Sequence, residues 1–332
     1  MAPTPQDAAT IKSWAHELGF DLVGIARPGI SAYAGAYQDW IAAGKHGEMA
    51  YLARNIDERL DLTRKFSWAK SVLCVAISYW REQEESEAQS AETGRSGKIA
   101  RYAWGRDYHR MFEHKLKKLE ARIRTVFAPG NPDLQIRPYC DTGPLLEREL
   151  AARAGLGWIG KHTLLIHPEH GSWFLLGELV LSLDLPADSS LPDHCGTCTR
   201  CVDACPTNAI RADAAPGSTR SVDARRCISY LTLEHRGPIA PEFETPMRDA
   251  AYLAGCDICQ QVCPFNGAQS SIRSPMPARD PDFSAHPPAP SIPLQQVLAW
   301  QEADWDQLTR GRAFRRAKLP MWQRTAKILA GP

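Results

Sequence analysis

Residues 195–206, CGTCTRCVDACP, place Cys195, Cys198, Cys201 and Cys205 at C-x2-C-x2-C-x3-C-P. A second run, CDICQQVCP, supplies Cys256, Cys259 and Cys263, and Cys227 between the runs brings the set to eight. The spacing is that of a double iron–sulfur module: C-x2-C turns let thiolates grip one 4Fe-4S cube, and the last cysteine of each run crosses to the other cube. On that logic Cys195, Cys198, Cys201 and Cys263 hold one cluster, and Cys205, Cys227, Cys256 and Cys259 hold the second. Zinc sites usually come as separated C-x2-C pairs, so longer runs ending in Cys-Pro favour iron–sulfur.

Around this module lie 332 residues, a length for roughly two domains, of which 44 % are hydrophobic and 23 % charged. With 39 Lys+Arg against 38 Asp+Glu the net charge is +1, so any polyanion site must be local. Ten cysteines are too few for a disulfide scaffold, and the packing of eight of them into residues 195–263 marks a metal or redox module. No apolar run reaches membrane-spanning length, and Asp7, Lys12 and Glu17 interrupt the N-terminal apolar positions, unlike a signal peptide. A cytoplasmic protein without membrane contact is expected.

Upstream, Ile11, Trp14, Ala15 and Leu18 form a helical stripe stopped by Gly19, and the apolar runs 20–26 and 71–80 read as strands. Residues 82–92 are glutamate-rich and read as a solvated loop. Tyr108, Phe112, Leu116, Leu119 and Ile123 define a helix with a basic outer face; residues 95–124 hold ten basic and three acidic side chains, a candidate anion patch. A further helix is expected over 145–154 and strands over 163–167 and 173–183. Seven prolines in residues 274–293 mark a connector to a third unit. In that unit Arg310, Arg312, Arg315, Arg316, Lys318, Arg324 and Lys327 interleave with Phe314 and Trp322, a composition suited to a phosphate backbone.

Gly155, Gly157 and Gly160 spell the dinucleotide fingerprint and nearly a P-loop, but they follow a helix, and His162 stands where a P-loop needs Ser or Thr. They read instead as a bend bringing backbone and Lys161 close to a large ligand. Asp107, His109 and Asp141 are the polar residues to examine as acids, against the alternative that an Asp before a helix is an N-cap. A helix N-terminus also lowers a carboxyl pKa, so donation near neutrality would need burial or a nearby negative charge. Cys74 reads as a buried hydrophobe, while Cys140 either packs silently or lies beside a reactive centre.

Taken together, MAYLARNIDERLDL (49–62), ARYAWGRDYH (100–109), DTGPLLERELAARAGLGWIGKHTLLI (141–166), GSWFLLGEL (171–179), CISYLTLEHRG (227–237) and the two cysteine runs resemble the epoxyqueuosine reductases. The resemblance implies an α/β, nitroreductase-like cobalamin-binding domain (1–188), a ferredoxin-like double 4Fe-4S domain (189–273) and a Pro-rich connector with a basic helical tail (274–332). It implies reduction of epoxyqueuosine to queuosine at the tRNA wobble position, with electrons passing singly from an external donor through the clusters to cobalamin. Asp141 takes the family's proton-donor position. Arg59, Trp104, Asp107, His109, Lys161, Ser229, Gln260 and Gln261 are expected near the cobalamin, and Arg310, Arg312, Arg315, Arg316 and Lys318 at the tRNA. The expected partners are tRNAs with GUN anticodons, and the chain is expected to act as a monomer. Asp107-x-His109-x-x-Phe112 lacks the glycine of D-x-H-x-x-G, so a histidine ligand to cobalt is not expected. Two readings of other classes compete: a corrinoid reductase of a small molecule, akin to the reductive dehalogenases, and a plain electron-transfer protein.

Overall fold

The computed structural model describes residues 4–82, 95–211, 220–267, 275–287 and 289–331; of the glutamate-rich stretch 82–92, only Glu82 lies within them. In chain order the strands are β1 (Leu22–Ala26), β2 (Ser71–Ser78), β3 (Ser96–Ile99), β4 (Ile136–Tyr139), β5 (Trp158–Ile159), β6 (Leu165–Ile166), β7 (Phe174–Leu181), β8 (Ile210–Arg211), β9 (Ser221–Val222), β10 (Tyr252–Ala254) and β11 (Ser291–Pro293). The main sheet runs β1-β2-β7-β4 and is antiparallel throughout. β2 is buried along its whole length because both faces are covered. Leu73, Val75 and Ile77 meet the helices Pro5–Glu17 and Tyr108–Phe127, whereas Val72, Cys74 and Ala76 face the Glu147–Arg153 helix. Cys74 is therefore the core residue the sequence suggested.

Local chemistry places these layers. Thr4 and Asp7 form a reciprocal capping box at the start of the first helix, and Gly19, at φ 85°, ends it. Asp107 caps the long Tyr108–Phe127 helix, accepting from the His109 amide at 3.1 Å. Glycine is required where helices approach the sheet: a Cβ on Gly24 would lie 2.1 Å from the Ala154 carbonyl oxygen, and one on Gly177 2.8 Å from the Phe112 ring. The expected strand over 163–167 is only the short hairpin β5-β6, apart from the main sheet. Gly157, at φ 154°, lets that hairpin close against Ile166.

A second sheet, β10-β3-β11, takes its middle strand from before the long helix and its outer strands from beyond the first cysteine run and from the end of the Pro-rich connector. Its core joins Ile99, Ala103 and Trp104 to Tyr230, Leu253, Ile292, Phe314 and Trp322, so packing crosses the sequence boundaries at 188 and 273. The tail is accordingly built into the protein. Phe314 and Trp322, expected at a phosphate backbone, are core side chains at 0 % and 1 % exposure.

The arginines around them act largely as fasteners. Arg312, expected at the tRNA, is 8 % exposed and donates to the carbonyls of Trp104, Gly105, His286 and Pro287 at 2.5–3.0 Å. Arg315 is tied to Asp306 and lies over Trp305, and Lys318 covers the same ring at 5.1 Å. Arg324 donates to the carbonyls of Leu231, His235 and Gly237. Buried carbonyls need donors, and a guanidinium serves several at once, which is why these cations point inward. Replacing Arg312 with Ala is expected to cost about 3 kcal/mol in denaturant unfolding, with Lys a poor substitute, whereas Arg310→Ala, at an exposed ion pair, changes stability by about 0.5 kcal/mol or less.

Candidate functional site

The fold brings cysteines of the two runs close to one another. Cys195, Cys198, Cys201 and Cys263 line one cavity, with Lys161 and His162 at its wall. Cys256 is within electrostatic reach of Cys205 and Cys227, and Cys259 of Cys227 and Cys256. Burial pushes the thiols of Cys201, Cys227, Cys256, Cys259 and Cys263 up, and neighbouring thiolates add to it. Such a donor set is stable as thiolates only around a bound cationic centre, and the matching cysteine spacing makes two iron–sulfur clusters the fitting one. The loops also supply donors to sulfur, as from Trp158 Nε1 to Cys195 at 3.5 Å and from the Ala209 amide to Cys205 at 3.2 Å. Among the described residues no three ligating side chains converge on a single-ion site.

Several residues expected at cobalamin are committed elsewhere. Lys161 caps the carbonyls of Gly196 and Cys198 at 2.8 and 2.9 Å, so the large ligand near its glycine bend is the first cluster loop. Trp104 is 5 % exposed, donates to Ile99 O at 2.8 Å and lies beneath Arg101. Gln260 is clamped in a buried seam: its amide bonds the Tyr79 hydroxyl and Ser172, while Asn266 ties Ser172 to the Gln260 carbonyl. Gln261 is exposed and donates to the Tyr252 hydroxyl at 3.2 Å, and Ser229 is half-buried beside Cys227.

Asp107, His109 and Asp141 do come together. His109 Nδ1 lies 2.6 Å from Asp107 Oδ1 and its Nε2 3.4 Å from Asp141 Oδ2, which also accepts from the Tyr108 hydroxyl. Tyr108 stacks on His109 with centroids 4.3 Å apart. Asp141 does not cap a helix: the next helix starts at Glu147, and Asp141 sits in a tight loop at φ 59°. Its side chain is 45 % open to a cleft while protein rings the rest. Tyr51 and Tyr102 are within electrostatic reach across that cleft, and Arg316 bridges Glu234 at 2.7 Å and Tyr51. Arg316 thus belongs to the wall of the cleft. Cys140, next to Asp141, is buried in the core and its thiol is pushed up by burial, so it packs silently.

The electrostatics divide the labour. Burial works to raise the Asp141 pKa, but hydrogen bonds to His109, Tyr108 and Glu147 outweigh it and hold the group below the usual carboxyl range. Asp107 is held down chiefly by its bond to His109. Bonds to Asp107 and then Asp141 raise His109 from 6.5 to about 9, so near neutrality the mobile proton rests on the imidazole. The raised value means that this pairing stabilises the fold fully below about 6.5 and loses its effect as pH rises through about 9.

Three residues of this site escaped sequence reasoning. Tyr108 was read only as part of the helix's apolar face, although it stands between Asp107 and His109. Glu147 accepts the Asp141 amide at 2.7 Å, and Glu178 is a fully buried carboxyl on β7 whose signal was one acid in the run FLLGELVL. Removing the principal partner with Asp107→Asn is expected to move the His109 titration, followed by imidazole NMR, from about 9 toward 6.5.

Outside these centres, an open groove of about 620 Å³ runs beside Asp107, lined among others by Arg106, Arg110, Asp282, Arg310 and Arg312. Arg106 and Arg310 are exposed along 69 % and 74 % of their side chains. Among the described residues no helix is long and apolar enough to cross a membrane.

Residues 59–142 match the family described as epoxyqueuosine reductase QueG, DUF1730, and residues 194–266 match the 4Fe-4S double cluster binding domain. The epoxyqueuosine reductase of Xanthomonas campestris is 39 % identical over 330 residues, covering 99 % of this chain and 88 % of that protein. A crystal structure of an epoxyqueuosine reductase with an epoxyqueuosine-modified tyrosine tRNA stem loop superposes with a TM-score of 0.81 at 28 % identity, covering 98 % of this chain and 80 % of that one. The Bacillus subtilis enzyme with its catalytic aspartate loop swung out of the active site has a TM-score of 0.81 at 27 % identity, covering 98 % of this chain and 81 % of that one. With such identity along nearly its whole length, and a double-cluster domain following the reductase domain, this chain belongs to the epoxyqueuosine reductase family of oxidoreductases.

Proposed function

We propose that this protein reduces epoxyqueuosine to queuosine at the wobble position of tRNA in the cytoplasm, with Asp141 delivering the proton to the departing oxygen. The observation that carries the reading is the Asp141 carboxylate, open to the cleft and joined at one oxygen to Tyr108 and His109.

The cofactors follow from the donors present. The eight cysteines suit two 4Fe-4S clusters that deliver electrons one at a time from an external donor. A cobalamin near Asp141 is supported by the donors present: among the described residues the buried Arg59 Nε has no hydrogen-bond partner, Arg59 Nη1 lies 3.4 Å from Leu145 O, and Tyr51 and Tyr102 offer aromatic faces. Arg59, with Ser229 and Gln261, would hold it; when bound, it supplies a strongly reducing cobalt for cleaving carbon–oxygen bonds.

The proton chemistry belongs to the chain. Converting an epoxide to an alkene breaks two carbon–oxygen bonds, consumes two electrons and two protons, and releases the oxygen as water. A lone carboxylate that is ionised at rest cannot supply this. Here His109, charged near neutrality, holds a proton one contact from Asp141 Oδ2, and Asp107 fixes the imidazole from its other nitrogen. Asp141 takes that proton as charge develops on the substrate oxygen, and Tyr108 orients the carboxylate; the second proton needed to release water follows the same route once His109 is reprotonated from solvent. The groove beside Asp107 is placed to hold the tRNA backbone, with Arg106, Arg110 and Arg310 on its wall.

Nucleosides from bulk tRNA of a strain relying on this protein, analysed by mass spectrometry, provide the test. Deleting the gene should replace queuosine by epoxyqueuosine, and Asp141→Asn should do the same while preserving the cluster spectrum and lowering turnover by about 100-fold or more. Unchanged queuosine after deletion would favour the small-molecule corrinoid reading. Replacing Arg106 and Arg110 together with Ala should weaken tRNA binding and flatten its salt dependence by about two units of slope, leaving the clusters untouched.

A further inference from the structure

Glu178 has no evident reason to be an acid. It lies in the middle of β7, opposite Cys74 on β2 and Tyr139 on β4, with 0 % exposure. Leu176 and Val180, two residues to either side, put apolar side chains on the same face, which packs against the Glu147–Arg153 helix. Neither Glu178 oxygen meets a donor among the described residues. The carboxyl that it does meet is that of Glu147, whose Oε1 accepts the Asp141 amide at 2.7 Å.

The cations nearby are spent elsewhere. Arg148 donates to the Thr163 carbonyl at 2.7 Å and Arg153 to the Arg27 carbonyl. The remaining titratable groups facing the pair are Cys74 on β2, Cys140 at the end of β4 and Asp141 itself, none of which brings positive charge. Two ionised carboxylates cannot share a dry site without a cation, whereas one proton between them turns repulsion into a hydrogen bond. Burial first, and then the neighbouring carboxylates, push both groups up.

We propose that Glu178 and Glu147 share one proton behind Asp141 and act as positioning residues that seat the Asp141 loop toward the cleft. The Glu178 hydroxyl donates to Glu147, and Glu147, held in place, accepts the Asp141 amide. That bond steadies a loop whose left-handed backbone at φ 59° disfavours any residue but glycine and asparagine-like side chains. The proposal rests on the reading of Asp141 as the acid only for its functional consequence; the shared proton can be observed directly.

Infrared difference spectroscopy of the cofactor-loaded protein at neutral pH should show the carbonyl stretch of a buried protonated carboxyl, and Glu178→Gln should shift it, because the proton is then left on Glu147 with a changed partner. In Glu178→Leu, which removes the donor, the Asp141 amide should exchange hydrogen about tenfold faster than in the parent; Glu178→Gln, which keeps a donor toward Glu147, should restore slow exchange. Absence of the carboxyl band in the parent, an unshifted band in Glu178→Gln, or parental exchange in Glu178→Leu would each overturn the proposal. Full turnover in Asp141→Asn would instead remove the acid reading, with the band and the exchange rate still deciding the seat.

Discussion

The seam at Gln260 is the contact on which the rest of the arrangement depends. Gln260 follows the cluster ligand Cys259 directly, and its amide is bonded to Tyr79, one residue beyond β2, and to Ser172, just before β7. One buried polar side chain thereby registers the iron–sulfur module against the two central strands of the catalytic sheet. Asn266 closes the network by joining Ser172 to Gln260 from the far side of Cys263. A satisfied polar network of this kind specifies a single docking geometry where apolar packing alone would permit sliding.

The parts of the molecule that were legible in the sequence have short-range causes. The cysteine spacings, the fully apolar β2, the stripe of the Tyr108–Phe127 helix and the Thr4 cap each depend on neighbours within a few residues. What was not legible depends on partners far away in the chain. Arg312 looked like a free cation because the carbonyls of Trp104 and His286, which occupy it, lie in other segments. Lys161 and Gln260 were placed at the cofactor on resemblance, yet their positions are decided by the cluster loop and the seam. Asp141 was singled out from the sequence, but its charge state was not readable, because Tyr108, His109 and Glu147 are brought to it only by the fold.

Charge in this protein is sorted by what each group can reach. Arginines near the C-terminal helix serve as multivalent donors to buried carbonyls, consistent with a near-neutral chain whose basic tail is half core. Arg316 joins the cleft wall by pairing with Glu234 and Tyr51, so even the tail contributes to the catalytic surroundings. The acids divide in the opposite sense: Asp107 and Asp141 are stabilised as anions around one imidazole, whereas burial and like charge push Glu147 and Glu178 up behind them.

The borrowed middle strand of the second sheet bears on how the chain assembles during synthesis. β3 emerges early, but both strands that flank it follow more than about 150 residues later, after the catalytic sheet and the first cysteine run have been made. Until then its edges are unpaired and its apolar partners are missing, so the nascent chain must carry an open strand while the intervening segments are made. Closure of this second core thereby waits for the C-terminal helix, whose Met321, Trp322, Ala326 and Leu329 complete it.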